Sequence, residues 1–444
     1  MTAVSGSPTS AVTGGDVISE SIEVMVFSVP SPVDMINVDY GQPVQWLTTP
    51  QAARRLGVKP ATIYAYVSRG LLASHRDTDH RTSRFRSDDV EVLARRGRPR
   101  AASRERSLDI AIETRITEID GHAIRFRGHD ALELAGAVAF EQVADLLWTG
   151  VLSPTTQPWP SRPIPVVDAG GSISDHLRLV VAHAAIGSRE RRDQRSVIEE
   201  GRRLIAALVD SLPAVGDGRC PRLVLPDGTV MRGSLAGRVW AHLSSRRATP
   251  ALVATLNAAM VLLADHEIAA STLAARVAAS TRAGVHGVVA AGMGALSGPL
   301  HGGESRRCRR VLAGPGHFSA APAVALALEL HGRVPGFGQV LYPRGDPRAA
   351  LLLRMLHEAA PEHPAMVAVG QLVAAATARR LPPPNVDLAL AALGMVAGMP
   401  EDAGEAIFTA ARVAGWLAHA MEEYGERPLR FRPRAVYIGD QAVK

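Results

Sequence analysis

Aromatic residues are scarce in this chain, at 4%. A β-sandwich core draws on Ile, Thr, Tyr and Phe, so their shortage leaves Ala, Leu and Val to fill closely packed helices. Lysine is almost missing, occurring only at Lys59 and Lys444, so nearly the whole basic side is arginine. A generic arginine therefore carries little information, and position has to argue. Cysteine occurs twice, at Cys220 and Cys308. Two distant cysteines with no CxxC pair exclude a disulfide framework and a cysteine-based zinc site, and no other metal site is expected. No positively charged opening precedes an apolar run, so no secretory signal is expected. The longest uncharged stretch, Ala283 to Gly303, carries two histidines, Pro299 and several glycines. It reads as a buried helix leading into a turn, not a membrane span. A cytoplasmic protein with no membrane partner is the expectation.

At 444 residues the chain has room for two or three domains. Charge divides it. Residues 1–45 hold five acidic residues and no basic one, and their Ser, Gly, Thr and Val suggest a flexible extension, with a short strand possible at 21–29. Residues 46–106 hold fourteen basic against six acidic residues, more than the entire net charge of +6. A compact basic segment points to an anionic partner for that segment alone.

Residues 46–96 read as a small helix-turn-helix module. Thr48 or Thr49 caps a helix opening at Pro50, Ala52, Ala53 and Leu56 form its buried face, and Gly57 ends it. Pro60 opens a second helix through Ile63, Tyr64 and Val67 to Gly70, and a three-residue turn between short helices is the geometry of this motif. The polar stretch His75–Arg86 suggests a hairpin wing, after which Ser87 caps a third helix. The module resembles the DNA-binding half of the mercury-resistance-regulator (MerR) and excisionase type. The resemblance implies that Thr62, Tyr64, Tyr66 and Arg69 approach a DNA groove and that Arg76, Arg81 and Arg84 meet phosphates. Residues 97–106 form a basic linker, and DNA contact is expected within residues 46–100.

From 107 to 444 the pattern is mostly helical after a strand-rich piece near Ile110–Arg127. Candidate helices are 131–148, 174–187, 192–211, 251–264, 268–281, 284–296, 319–331, 347–359, 364–379, 386–397 and 402–424. Two turns between them carry chemistry: Pro299-Leu300-His301-Gly302-Gly303 and Asn385-Val386-Asp387. An aspartate can take a proton from a carbon beside a carbonyl, while a fixed histidine stabilises the oxyanion that forms.

Ordered matches across about 107–439 resemble the citrate synthase family: Ile119-Asp120-Gly121, Phe126-Arg127-Gly128, Ala264-Asp265-His266-Glu267 with Ala270-Ser271-Thr272, Gly298 to Gly303, Gly336-Phe337-Gly338, Asp346-Pro347-Arg348-Ala349, Asn385-Val386-Asp387, Ala411 to His419 and Arg432-Pro433-Arg434. The resemblance implies a mainly α, two-domain all-helical fold, with a smaller domain inserted at about 300–400, assembled as a homodimer. It also implies the opening reaction of the tricarboxylic acid cycle: acetyl-CoA, or another short acyl-CoA, condenses with oxaloacetate to give citrate and CoA, with no cofactor beyond the CoA substrate. Asp387 matches the base and His301 the donor to the thioester oxygen. His266, Arg348 and Arg412 match oxaloacetate ligands, with Arg432 reaching in from the other subunit. Arginine suits this task because its planar fork pairs bidentately with a carboxylate. Gly336, Phe337, Gly338 and Arg344 fall in the region expected to meet CoA.

One departure matters most. Gln339 stands where the family has a histidine that polarises the ketone and passes it a proton. An amide can donate a hydrogen bond but cannot carry that proton, and loss of a general acid typically slows a reaction by roughly 10² to 10⁴. Glu304-Ser305 replaces the usual Ala-Asn, and Val340 and Pro343 replace residues that are often basic. Two expectations follow: a slowed synthase, or a metabolite-sensing DNA-binding regulator built on a catalytically weakened synthase fold.

Overall fold

The computed structural model describes residues 46–90 and 111–433, apart from 57, 59, 69–71, 77–82, 122, 161–162, 167–169, 190, 217 and 315–318. The expected extension 1–45, the linker 97–106, and Arg69, Arg81 and Arg434 lie outside these residues.

In the basic segment a strand, β1 (Trp46–Thr48), precedes helix α1 (Thr49–Leu56), and a turn leads to α2 (Pro60–Ser68). The wing is β2 (His75–Arg76) with β3 (Ser83–Arg86), and the sheet order is β1-β3-β2. Sequence reading placed the helix cap at Thr48 or Thr49 and missed β1. Its register, Leu47 opposite Phe85, brings an apolar pair onto the helices. Ala52, Ala53, Ile63, Leu72, Phe85 and Val90 form the core, with Tyr66, Val58 and Val67 packed against it. Tyr66 therefore packs inward, whereas Tyr64 is 57% exposed. Thr62 and Arg84 are partly buried, and Arg76 lies in β2.

The larger part opens with an antiparallel sheet, β4 (Thr117–Asp120), β5 (Ala123–Phe126) and β6 (His129–Asp130), as the strand-rich reading expected. Fourteen helices follow among the described residues: α3 (Ala131–Ala137), α4 (Phe140–Thr149), α5 (Ile173–Ala185), α6 (Gln194–Asp210), α7 (Leu235–Leu243), α8 (Pro250–Leu263), α9 (Ala270–Ser280), α10 (Val285–Leu296), α11 (Glu304–Ala313), α12 (Ala320–His331), α13 (Pro347–Ala359), α14 (Pro364–Ala378), α15 (Val386–Val396) and α16 (Ala403–Gly425). A two-stranded hairpin, β7 (Leu223–Val224) and β8 (Val230–Met231), precedes α7.

The single helix expected at 131–148 is two. Asn257 on α8 inserts at the break, accepting from the Phe140 N–H at 3.0 Å and donating to the Val138 carbonyl at 2.8 Å. Those bonds satisfy the backbone groups that an interruption exposes. Helices α7 and α11 went unread. α11 is ESRRCRRVLA, with Cys308 and Leu312 as its only buried apolar side chains, so its apolar stripe is too thin to register.

Helix α16 is the axis of this part. Its 23 residues are buried almost throughout, and α6, α9 and α10 pack around it. Glycine makes that approach possible. A Cβ on Gly292 would lie 2.6 Å from the Trp416 ring, and one on Gly415 would lie 2.3 Å from Asp265 Oδ1. A buried polar chain runs along the same axis. Asp265 Oδ2 accepts from Thr117 Oγ1 and His419 Nε2, while His419 Nδ1 accepts from Arg276 Nη1 at 2.9 Å. That pattern requires the neutral Nε2–H tautomer of His419. Arg276 also pairs with Glu422 and Glu423. Glu422 in turn accepts from Thr114 Oγ1 and the Arg115 N–H, and Glu423 accepts the Arg430 fork. No helix among the described residues is long and apolar enough to cross a membrane.

Candidate active site

His301 sits in the turn between α10 and α11. Its N–H donates to the Gly298 carbonyl and the Gly302 N–H to the Leu296 carbonyl. A Cβ on Gly302 would lie 2.7 Å from that Leu296 oxygen, so only glycine allows the chain to turn here. Ser271, fully buried near the start of α9, holds His301 Nε2 at 2.8 Å. Phe408 of α16 meets the His301 ring edge-on at 5.7 Å and carries the Arg412 guanidinium over its face at 4.7 Å. Burial, reinforced by the Arg412 charge, lowers His301 to about 4, so the imidazole is neutral at physiological pH.

Arg412 is 1% exposed. Its Nε donates to the Leu263 carbonyl at 2.7 Å, but Nη1 and Nη2 are buried without a hydrogen-bond partner. Burial without a full counterion pulls it down to about 10, with Asp265 opposing and Arg348 adding to the fall. Five N–H donors facing an interior with two nitrogens unanswered describe a site built for an anion.

Arg348 opens α13, whose first turn is preset by Pro347 and capped by Asp346. Its Nε and Nη2 fork onto Asp346 at 3.0 and 2.8 Å, which fixes the guanidinium but leaves Nη1 without a partner among the described residues. Tyr342 lies beneath the Arg348 cation at 5.6 Å, and its hydroxyl meets His266 Nε2 at 2.9 Å. Burial, then the charges of Arg348 and Arg412, hold His266 well below the ordinary histidine value. Both histidines thus remain neutral, held down first by burial and then by the neighbouring cations.

Asp387 stands in the first turn of α15, after its cap Asn385. Its Oδ1 is buried without a partner. Burial and then the Glu304 carboxylate raise it to about 7, against the pull of Arg348 and Arg333. Gly336-Phe337-Gly338 fastens this turn. The Asn385 N–H donates to the Gly336 carbonyl and Asn385 Nδ2 to the Gly338 carbonyl, both at 2.9 Å, while the Gly338 N–H donates to Pro383. Gly336 and Gly338 both sit at φ +83°, a conformation that favours glycine.

A family model described as citrate synthase, C-terminal domain, matches residues 165–434. The chain belongs to the citrate synthase family. That membership places it among the acyltransferases. A helix-turn-helix domain model matches residues 46–98. The chain is 30% identical over 365 residues to citrate synthase of Haloferax volcanii, covering 75% of this chain and 94% of that one. It is 35% identical over 209 residues to citrate synthase 2 of Bacillus subtilis, a stretch covering 46% of this chain and 55% of that relative. The fold is similar to that of citrate synthase from Thermotoga maritima, with TM-score 0.59, 26% identity and coverage of 77% and 97%.

Among the residues singled out by the family motifs, the structure gathers His266, His301, Arg348, Arg412 and Asp387, each within electrostatic reach of another. Gln339 is partly buried, its carbonyl accepting from the Tyr342 N–H and its amide bonded to nothing among the described residues. Arg344 is exposed. The backbone groups of Gly336 and Gly338 are engaged in holding Asn385. Arg432 is exposed beyond α16 and meets none of the others within one chain. Sequence reasoning missed Tyr342, Phe408 and the Ser271–His301 bond. Only the quoted Ala-Ser-Thr stretch hinted at the last.

Proposed function

We propose that this chain joins a short acyl-CoA, acetyl-CoA first among them, to oxaloacetate, and that it does so slowly. One observation carries the reading: the buried, unanswered Nη1 and Nη2 of Arg412, within electrostatic reach of two neutral histidines and of the anchored Arg348. A dianionic oxo-acid supplies what those groups lack. One carboxylate answers Arg412, the other reaches Arg348 Nη1, and His266 donates to the bound acid.

Asp387 removes a proton from the acyl carbon next to the thioester. When the Ser271 hydroxyl donates to Nε2, His301 keeps its proton on Nδ1 and donates it toward the enolate oxygen. The carbon then attacks the ketone, whose oxygen becomes an alkoxide and takes a proton. Water finally cleaves the thioester and releases CoA thiol. Gln339 supports the ketone oxygen with an N–H but provides no proton, so this step slows.

Thiol release from acetyl-CoA plus oxaloacetate should be weak, and Gln339→His should raise it roughly tenfold or more. The measurement is a panel of short acyl-CoAs and 2-oxo acids, read by thiol release and by thermal stabilisation. No turnover and no stabilisation by any pair would end the synthase reading.

The helix-turn-helix match at 46–98 favours a second role, in which a dimeric synthase fold senses its ligand and the basic segment binds DNA. Stabilisation by oxaloacetate without turnover would favour that role.

A further inference from the structure

Glu304 replaces a small residue of the family pattern at a place where a charge is conspicuous. It opens α11 directly after the His301 turn, and a first-turn acid there is favourable in itself. Such an acid normally faces water. Glu304 is 5% exposed and turned inward, where both its oxygens receive the Arg333 fork, Oε1 at 2.5 Å and Oε2 at 2.8 Å. Arg333 begins the Val334–Gly338 segment that holds Asn385 and so fixes the turn of Asp387.

The groups around Asp387 can be named element by element. α11 brings Glu304 and Cys308, the segment before Gly336 brings Arg333, and α13 with its cap brings Arg348 and Asp346. α14 carries no titratable residue between Pro364 and Ala378. α16 also touches α15, and its Glu405 is already met by Arg306 at 3.5 Å. Arg348 is occupied by Asp346. Of the two cations that act on Asp387, Arg348 acts more strongly but is forked onto Asp346, which leaves Arg333, and Glu304 occupies that second cation.

We propose that Glu304 is a positioning residue for Asp387: clamped by Arg333, it keeps that guanidinium off the base and sets a second carboxylate beside it. The proposal rests on Asp387 acting as the base. Glu304 touches no substrate; it acts through Asp387, giving a strong base at the cost of a smaller ionised fraction near neutrality. Burial and Glu304 are the two largest causes of the upward displacement of Asp387, which agrees with this arrangement.

Two substitutions with opposite expected signs test it. Glu304→Gln frees Arg333 and removes a charge, so Asp387 should titrate roughly one to two pH units lower. Arg333→Met leaves Glu304 unneutralised, so Asp387 should titrate higher by a similar amount. Glu304→Asp should stay near the parent. The readouts are the acid limb of thiol release against pH and, in the ligand-free full chain, the ¹³C carboxyl titration of labelled aspartate, assigned with Asp387→Asn. Displacements in the two opposite directions support the pair. An unchanged carboxyl titration in both variants, even with activity lost, would overturn it. The carboxyl titration needs no turnover, so an inactive parent would count against the condensation reading alone.

Discussion

Arg412 states the residue-scale problem most sharply. A buried guanidinium with two unanswered nitrogens destabilises the empty protein, and only a ligand offsets it. Arg412→Met should therefore raise the ligand-free melting temperature while abolishing stabilisation by oxaloacetate. Differential scanning calorimetry with and without the acid checks both halves, and a lower ligand-free melting temperature would mean that Arg412 is structural. Asp387 makes a second prediction, through pH. It titrates near 7 when folded and at about 3.9 when unfolded. Between those values the folded chain keeps a proton that the unfolded chain has released, so this group's contribution falls as pH rises and stays low above 7. Asp387→Asn should then raise the melting temperature at pH 8 and leave it nearly unchanged at pH 4.5. The same carboxyl should place the acid limb of thiol release near pH 7, because His301, titrating at about 4, stays neutral across that range.

The family resemblance singled out residues within local motifs: His301 in its glycine turn, Asp387 after its cap, Arg348 after Asp-Pro. Their partners were not. Ser271 reaches His301 across 30 residues and Tyr342 reaches His266 across 76, and no local pattern encodes such pairings. Glu304 was seen as a departure, but Arg333, which gives it meaning, lies 29 residues on and looked like any other arginine.

Among elements, the apolar helices were legible because their periodicity is strong; α13 runs over the expected 347–359. Failures came where tertiary contacts overrode local pattern. Asn257 divides α3 from α4, and α11 buries too little to show a stripe. The glycines of α10 and α16 carry information that sequence reading could not use, since their neighbours are remote. Gly415→Ala would drive a methyl into Asp265 and the Ala264 carbonyl, at 2.3 and 2.4 Å. It should cost about 1–3 kcal/mol in denaturant unfolding, through overpacking. Because Asp265 precedes His266, oxaloacetate stabilisation should weaken too; an alanine accepted without loss would show that this helix contact is loose.

At the scale of the whole chain, the two hydrophobic clusters are separate, one within residues 47–90 and one from Ile116 onward. A basic module that meets phosphates binds through counterion release, so its affinity should fall steeply with salt. Deletion of residues 46–100 should abolish binding to duplex DNA in an electrophoretic shift while leaving thiol release unchanged. Absence of binding by the full chain at low salt would remove the regulator role.

The anion-seeking Arg412 and the ion-paired Glu423 ride on one helix, eleven residues and roughly 16 Å apart. A rod so enclosed moves as a unit or not at all. Any adjustment to an anion at Arg412 is therefore expected of the helices packed around this one and not of the rod itself.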